Sequence, residues 1–575
     1  MVAAKRSYRM ALVAIAAAIL YLTGLGRPAL WEPDEGRYGE IAREMVASGD
    51  YVTPRDDYEI FLEKPPLVYW TEAAAISAFG KNEFAVRLPA ALFSVGEVVL
   101  TAMLGEIIAG PVAGLFAALA LGLSPLFFGF ARFATVDPAL AFFLTAAMAA
   151  FYLSMRRKQP GETEAPQRGW MLTASAMLAL GTLAKGPVAI VLGGAIALIW
   201  LAIEGRIREI LRLPLLRCIV AYTAIVVPWF AIVQVRNPAF LRFFFIHEHL
   251  ERYTHLQEHA WGPWFFIPIV IGGAWPWIFF VAPGIAALWR SDGEDADSTP
   301  DRSSARFLIT WFAVIFIFFS IPSSKLGTYI LPAFPPLAIA AGCGLQAFAR
   351  GGAAKWRRFV RGFTFVNLGI AATAAIVIAI KLYPHHRALA VDGILIASAV
   401  AAGAILIAVI SHLGEGRAPY AIGALALAMA AAMMVGIRAR RDAAPLVSYR
   451  ELAHTARPYL RPGCVLASYR HLVQSLPFYT EQREIRVEYW GELSEFPQSS
   501  DTGVITSAAK LRELWRSNSC ALLIANQRDL AAVSALLEPA PMIIGCEGKK
   551  FILYKGSSPA PPEASECVNR ARLDR

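Results

Sequence analysis

Charged residues are scarce in this sequence of 575 residues: they make up 17% of it, whereas soluble domains carry about 25%. Hydrophobic residues reach 57%, and the mean hydropathy is +0.49. This balance argues against a soluble protein and favours a membrane protein. The net charge of +10 then reflects basic cytoplasmic loops, so we expect no nucleic-acid partner.

Cysteine is also scarce, and no CxxC or other metal-type cysteine spacing occurs. Two of the six cysteines lie in apolar runs and four lie in the tail: Cys218 and Cys343, then Cys464, Cys520, Cys546 and Cys567. One or two disulfides are possible in the tail if it is extracytoplasmic, but their pairing cannot be read from the sequence.

Two further absences concern the chain as a whole. No convincing cleavage site follows the first apolar run, ALVAIAAAILYLTGLG, so we expect a retained first span. No internal repeat is visible, which argues against a transporter or flippase, since transporters often show two similar halves.

Long apolar runs predict an α-helical polytopic membrane protein with about 13 transmembrane helices, because a spanning helix needs about 20 apolar residues. The predicted spans are 8–26, 84–107, 110–128, 137–155, 169–184, 187–203, 217–233, 263–288, 306–321, 328–349, 362–382, 392–412 and 419–437.

The Lys and Arg residues predict the orientation. KRSYR, RRKQ, EGRIREILR and KWRRFVR lie at the N-terminus and in alternate loops, which are therefore cytoplasmic. The outer face then carries two amphipathic loops, 27–83 and 234–262, and the tail. We expect residues 1–437 to form the membrane domain and residues 438–575 a small soluble α/β domain.

The tail alternates short β-rich runs with helix-like stretches. The runs are CVLASY, IRVEYW, CALLIAN and FILYKG, and the stretches are SAAKLRELWRS and RDLAAVSALLE. PAPPEASE, near the end, predicts a flexible terminus.

Charge is concentrated in the first outer loop, in WEPDEGRYGE (31–40). The spacing of Tyr38, Ile41 and Met45 predicts a short amphipathic helix lying on the membrane surface. Asp34 is either the N-cap of this helix or an active-site carboxylate, and spacing alone leaves both open. Lys64, in FLEKPPLVYW, lies where a lipid phosphate would sit.

EPDEGRYGEIAREM, GDYVTPRDDY and FLEKPPLVYW resemble the signature of the 4-amino-4-deoxy-L-arabinose lipid A transferases. These are polytopic GT-C glycosyltransferases related to the protein O-mannosyltransferases. The similarity returns at ARFATVDPALAFF, LAKGP and SSKLGTYILPAFPPLA. It covers the N-terminal half most clearly and implies a GT-C fold.

The resemblance implies transfer of aminoarabinose from undecaprenyl phosphate to a lipid A phosphate. The reaction occurs on the periplasmic side of the bacterial inner membrane and gives resistance to polymyxin and other cationic peptides. The implied partners are this donor, lipid A and membrane lipids, and we expect a monomer. A related enzyme with another sugar or a protein acceptor is the alternative.

The family motifs place several residues in the site. Asp34 and Asp137 are the expected catalytic carboxylates, although Asp137 can also be read as a helix N-cap. The expected donor-phosphate ligands are Lys64, Arg37, Arg252 and Lys325. Tyr38, Glu35, Lys185 and Tyr329 are expected to line the substrate cavity. For Lys185 and Lys325, snorkelling to the interface is the other interpretation.

HEHLERYTHLQEH holds four histidines, which together with carboxylates suit divalent ions. They are His247, His249, His255 and His259. Their spacing matches no tight zinc motif, so an exposed amphipathic loop is the alternative. If a divalent metal such as zinc is bound, we expect Glu63 and His247 to be its ligands. No organic cofactor is expected.

Overall fold

The computed structural model describes residues 2–156, 167–251, 261–290, 302–350, 353–413, 416–489, 503–505 and 507–573. The chain forms two compact units. The first comprises Met1–Leu25, Leu88–Val235 and Phe244–Ala439, and the second comprises Gly26–Arg87, Arg236–Phe243 and Arg440–Arg575.

Apolar helices make up most of the first unit, and each of the 13 predicted spans contains helix. The α-helices are Val2–Leu22, Glu83–Ala109, Pro111–Gly122, Pro125–Ala131, Asp137–Met155, Gln167–Lys185, Val188–Ile203, Leu215–Arg236, Phe266–Gly273, Ile278–Arg290, Arg302–Ser320, Phe334–Arg350, Ala353–Lys381, Arg387–His412 and Ala418–Val447. A π-helix, Phe243–Glu251, and a 3-10 helix, Gly327–Ala333, join them.

Among the described residues, eight helices are long and apolar enough to cross a membrane, or ten if each of two bent pairs is one span. The bent pairs are Pro111–Gly122 with Pro125–Ala131, at 68°, and Pro263–Gly273 with Ile278–Arg290, at 93°. The chain is therefore a multi-pass membrane protein.

Small residues let two of these helices touch through their backbones. A Cβ atom added to Gly284 would lie 1.7 Å from the carbonyl oxygen of Ala340, and one added to Gly344 would lie 2.0 Å from that of Phe280. Such contacts are typical of helices packed in membranes, where close approach replaces the hydrophobic driving force.

In the second unit, the segment from Gly26 to Arg87 folds as two helices around a short hairpin. The helices are Asp34–Ser48 and Leu67–Phe79, and strands β1 (Arg55–Asp56) and β2 (Glu59–Ile60) are antiparallel.

The tail of the second unit contains a six-stranded sheet in the order β5-β4-β3-β6-β8-β7. The strands are β3 (Val465–Tyr469), β4 (Glu484–Val487), β5 (Val504–Ile505), β6 (Ala521–Asn526), β7 (Met542–Glu547) and β8 (Lys550–Lys555), and the helices are Arg450–Ala456, Ser475–Thr480, Ala508–Ser517, Gln527–Leu536 and Ala564–Leu573. Strands β3 to β6 pair in parallel, and β6, β8 and β7 pair antiparallel. Alternate residues of β6 join two separate cores, so both faces of the sheet are buried.

The four tail cysteines form two disulfides, Cys464–Cys520 and Cys546–Cys567. The expectation of a flexible terminus at PAPPEASE is wrong in part, because the helix Ala564–Leu573 begins within it and its Cys567 is bonded to β7. Cys218 and Cys343 are free and buried.

Candidate active site

Asp34 is the first residue of the helix Asp34–Ser48 and is half-buried. Pro33 occupies the cap position, and no side chain caps this helix end. The expected amphipathic surface helix is not what forms, because residues 35–45 are all buried, charged ones included. Three of these charged residues form ion pairs within the second unit: Glu35 pairs with Arg87 and Arg440, and Glu40 pairs with Arg43.

Glu35 lies at the centre of an ion cluster in which Glu35 and Arg87 are fully buried and Arg440 is partly exposed. Its carboxylate accepts hydrogen bonds from Arg87 at 2.7 Å to each oxygen and pairs with Arg440 at 2.7 Å. Burial alone would raise the pKa of Glu35, but the two guanidinium groups outweigh it and lower the pKa to about 2. Glu35 is therefore ionised at every physiological pH.

Arg37 and Tyr38 follow on the same helix and are also buried. The Arg37 guanidinium lies over the ring of Phe61, 5.4 Å from its centroid. The ring centroid of Tyr38 lies 5.6 Å from that of Tyr69.

Lys64 and Glu63 precede Pro65-Pro66 and the helix Leu67–Phe79. Their charged groups are 3.9 Å apart, and the Lys64 side chain is 22% exposed whereas Glu63 is buried. Lys64 is thus the more accessible member of this pair.

In the first unit, the structure brings three predicted site residues together: Asp137, Lys185 and Tyr329. Asp137 begins the helix Asp137–Met155, and Lys185 ends the helix Gln167–Lys185. Their side chains form a nearly buried salt bridge, and the Lys185 ammonium lies 4.1 Å from the ring centroid of Tyr329. The aromatic ring and the carboxylate both stabilise the ammonium.

Lys325 is 2% exposed and donates hydrogen bonds to the carbonyl oxygens of Trp261, at 2.9 Å, and Pro322. Its ammonium is therefore held by backbone rather than free at the surface.

His247 is half-buried in the π-helix Phe243–Glu251. Arg252, His255 and His259 lie outside the described residues. Among the described residues, no group of three or more His, Cys, Asp or Glu side chains is placed to hold a metal ion. Glu63 and His247 belong to different units.

Sequence reasoning missed a buried cluster of carboxylates in the second unit. Glu40 pairs with Arg43 through two bonds of 2.7 Å. Glu44 accepts from the backbone N–H of Tyr58 at 2.7 Å, and burial raises the pKa of Glu44 to about 8, helped by the neighbouring Glu40 charge. From the sequence alone, Glu40 and Glu44 could be interpreted only as part of the polar face of an amphipathic helix.

Two family profiles match the chain. Residues 7–244 match the dolichyl-phosphate-mannose-protein mannosyltransferases, and residues 452–553 match the aminoarabinose transferase C-terminal domain.

Curated relatives include the undecaprenyl phosphate-alpha-4-amino-4-deoxy-L-arabinose arabinosyl transferase of Erwinia tasmaniensis. It is 30% identical over 380 residues, which cover 64% of this chain and 65% of that protein. The enzyme of the same name from Pseudomonas aeruginosa is 30% identical over 371 residues, with the same shares. The match thus spans just under two thirds of each relative.

Solved structures match over nearly the whole chain. ArnT from Cupriavidus metallidurans bound to undecaprenyl phosphate has a TM-score of 0.84 at 28% identity, covering 96% of this chain and 99% of that one. The Archaeoglobus fulgidus oligosaccharyltransferase has a TM-score of 0.50 at 13% identity, covering 96% and 75%, which is a likeness of fold.

Proposed function

We propose that the chain belongs to the aminoarabinose transferases of the GT-C type and that it transfers 4-amino-4-deoxy-L-arabinose from undecaprenyl phosphate to a phosphate of lipid A. The observation that carries this proposal is the match, along nearly the whole chain, to an ArnT bound to undecaprenyl phosphate. The activity is that of a pentosyltransferase with a polyprenyl-phosphate donor.

In the proposed reaction, the bond between the sugar C1 and the donor phosphate oxygen breaks, and its electron pair leaves with undecaprenyl phosphate. An oxygen of the acceptor phosphate forms the new bond to C1. Positive charge develops on the sugar in the transition state. Because the acceptor phosphate is already ionised, the step needs no general base.

Asp34 and Asp137 are the proposed catalytic carboxylates. An ionised carboxylate stabilises an oxocarbenium-like sugar and orients the acceptor. The salt bridge with Lys185 fixes the side chain of Asp137. Lys185 and Tyr329 then line the substrate cavity as a unit with Asp137.

Lys64, Arg37, Arg252 and Lys325 are the proposed ligands of the donor phosphate. The partial exposure of Lys64 suits this role, since its ammonium can reach a lipid phosphate. Tyr38 and Glu35 complete the proposed cavity. The carboxylate of Glu35 is already bound to two arginines, so it acts there by holding the helix that carries Asp34.

A divalent metal is a separate proposal, with Glu63 and His247 as ligands. No step above depends on it. Metal analysis of the purified protein, with a Glu63→Gln variant beside it, tests the site: a metal-to-protein ratio near zero in the wild type would refute it.

We also propose that about 13 helices span the bacterial inner membrane, with the N-terminus cytoplasmic and the C-terminal domain periplasmic. The two disulfides support this orientation, because disulfides persist in the periplasm rather than the cytosol. Protease digestion of spheroplasts, which reaches only periplasmic segments, should remove the C-terminal domain. Its protection would refute the orientation.

Mass spectrometry of lipid A from cells with and without the protein tests the function, with an Asp34→Asn strain beside them. The aminoarabinose mass should appear only with the intact protein. Unchanged lipid A in cells that make the donor would refute the arabinose assignment. A shift that survives Asp34→Asn would leave the function standing and remove Asp34 from the catalytic residues.

A second candidate is a polyprenyl-phosphate-dependent transferase with another sugar or a protein acceptor. The mannosyltransferase profile over residues 7–244 favours it. Radiolabelled sugar recovered in protein rather than in lipid A would distinguish this candidate from the first.

A further inference from the structure

Glu32 connects the outer loop to the tail of the chain within the second unit. Its two carboxylate oxygens accept hydrogen bonds from the backbone N–H groups of Gln474 and Ser475, both at 2.9 Å. Its own N–H donates to the carbonyl oxygen of Val447 at 2.9 Å. Glu32 is thus held through both backbone and side chain, two residues before Asp34.

Gly36, two residues after Asp34, packs against the same two tail residues. A Cβ atom added to Gly36 would lie 2.5 Å from the backbone nitrogen of Ser475 and 2.8 Å from the carbonyl carbon of Gln474. Both distances are shorter than real contacts, so only glycine fits here. The segment from Glu32 to Gly36, with Asp34 at its middle, therefore rests on a single turn of the C-terminal domain.

Gln474 also orients a second candidate site residue. With its amide oriented so that both bonds form, Gln474 donates to Asp56 (N···O 2.6 Å) and accepts from Arg37 (3.3 Å). The backbone of Gln474 and Ser475 thus contacts the neighbours of Asp34, and the side chain of Gln474 contacts Arg37.

We propose that the Gln474–Ser475 turn is a positioning element for the transfer reaction, and that Glu32 is the positioning residue through which it fixes Asp34. This inference rests on the proposed function. The C-terminal domain then acts on the reaction by holding Asp34 in place, without touching the sugar.

Three full-length variants test it. Glu32→Gln keeps the size of the side chain but removes its charge and one acceptor oxygen, while Gly36→Ala displaces the turn by steric overlap. Glu481→Gln is the matched control: Glu481 follows the helix Ser475–Thr480 at its other end, where it pairs with Lys81.

Hydrogen exchange of the peptide covering residues 31–38 is the first measurement, because it needs no activity. Exchange should be faster in Glu32→Gln and Gly36→Ala, and unchanged in Glu481→Gln. Unchanged exchange in both test variants would overturn the anchoring. This result does not depend on activity, so it is distinct from a failure of the proposed function, which would appear as a wild type without aminoarabinose transfer.

The second measurement is kcat per undecaprenyl-phosphate binding site, which corrects for misfolded protein. A misplacement of about 1 Å costs about 100-fold in rate, so kcat should fall about 10- to 100-fold in both test variants with little change in KM for the donor. A fall only in the number of binding sites, with normal kcat per site, would show a merely structural role and overturn the proposal.

Discussion

The buried cluster of Glu35, Arg87 and Arg440 allows a quantitative test of what holds the Asp34 helix. Arg87→Met keeps most of the side-chain volume but removes the guanidinium. Glu35 then keeps Arg440, while the carbonyl oxygens of Pro28 and Ala29 lose bonds of 2.6 and 2.7 Å. Three buried acceptor groups therefore each lose a donor: the carboxylate of Glu35 and the carbonyl groups of Pro28 and Ala29.

Breaking a buried ion pair costs about 3–5 kcal/mol. Because Arg440 still compensates the charge of Glu35, we expect the lower end, about 3 kcal/mol. In domains of about 150–250 residues, 1 kcal/mol shifts Tm by about 2–4 °C. The variant should therefore unfold about 6–12 °C lower than the wild type.

A double-mutant cycle in purified protein is the assay, with Arg87→Met, Glu35→Gln and the double variant followed by thermal unfolding. Residues that share buried bonds couple by about 0.5–3 kcal/mol. The double variant should thus lose clearly less than the sum of the single losses. Losses that add to within about 0.5 kcal/mol would refute the view that this cluster holds the helix.

Asp137→Asn, which removes the charge facing Lys185, should lower the transfer rate by at least about 100-fold in an in vitro assay; a tenfold loss or less would argue against a catalytic role. The pKa of Glu44, which burial raises to about 8, means that ionisation is unfavourable in the fold. Thermal stability should therefore fall as pH rises from about 5 to 8.5, and a Glu44→Gln variant should show a flatter profile. Replacing both Cys464 and Cys520 by serine opens a link between residues 56 apart and should cost about 4 kcal/mol; an unchanged Tm would show that the bond does not stabilise the native protein.

Apolar run length predicted the helices well, because a membrane span needs a long apolar segment whatever its partners. Run length alone did not show that two predicted spans are bent. Pro125 follows the first break and has no N–H group for a continuous helix, which is a signal the sequence does carry. The β-rich runs of the tail likewise became strands, because their pattern is local.

The candidate site was harder to predict. The family motifs predicted Asp137, Lys185 and Tyr329 as site residues, and in the structure Lys185 contacts the other two. The burial of the Asp34 helix could not be foreseen, because charged residues at helical spacing usually face water. Some partners of these charged residues lie hundreds of residues away along the chain, as Gln474 does from Arg37. A pattern within one helix carries no information about such distant partners.

The distance along the chain between Glu32 and its partners has a consequence for biosynthesis. Gln474 follows Glu32 by 442 residues, so at about 5–20 residues per second its synthesis comes about 20–90 s later. During that interval the Asp34 segment has been made without the turn that later contacts it. A segment of ordinary core residues would be exposed to aggregation while it waited. Charged residues oppose such aggregation, and WEPDEGRYGE is densely charged.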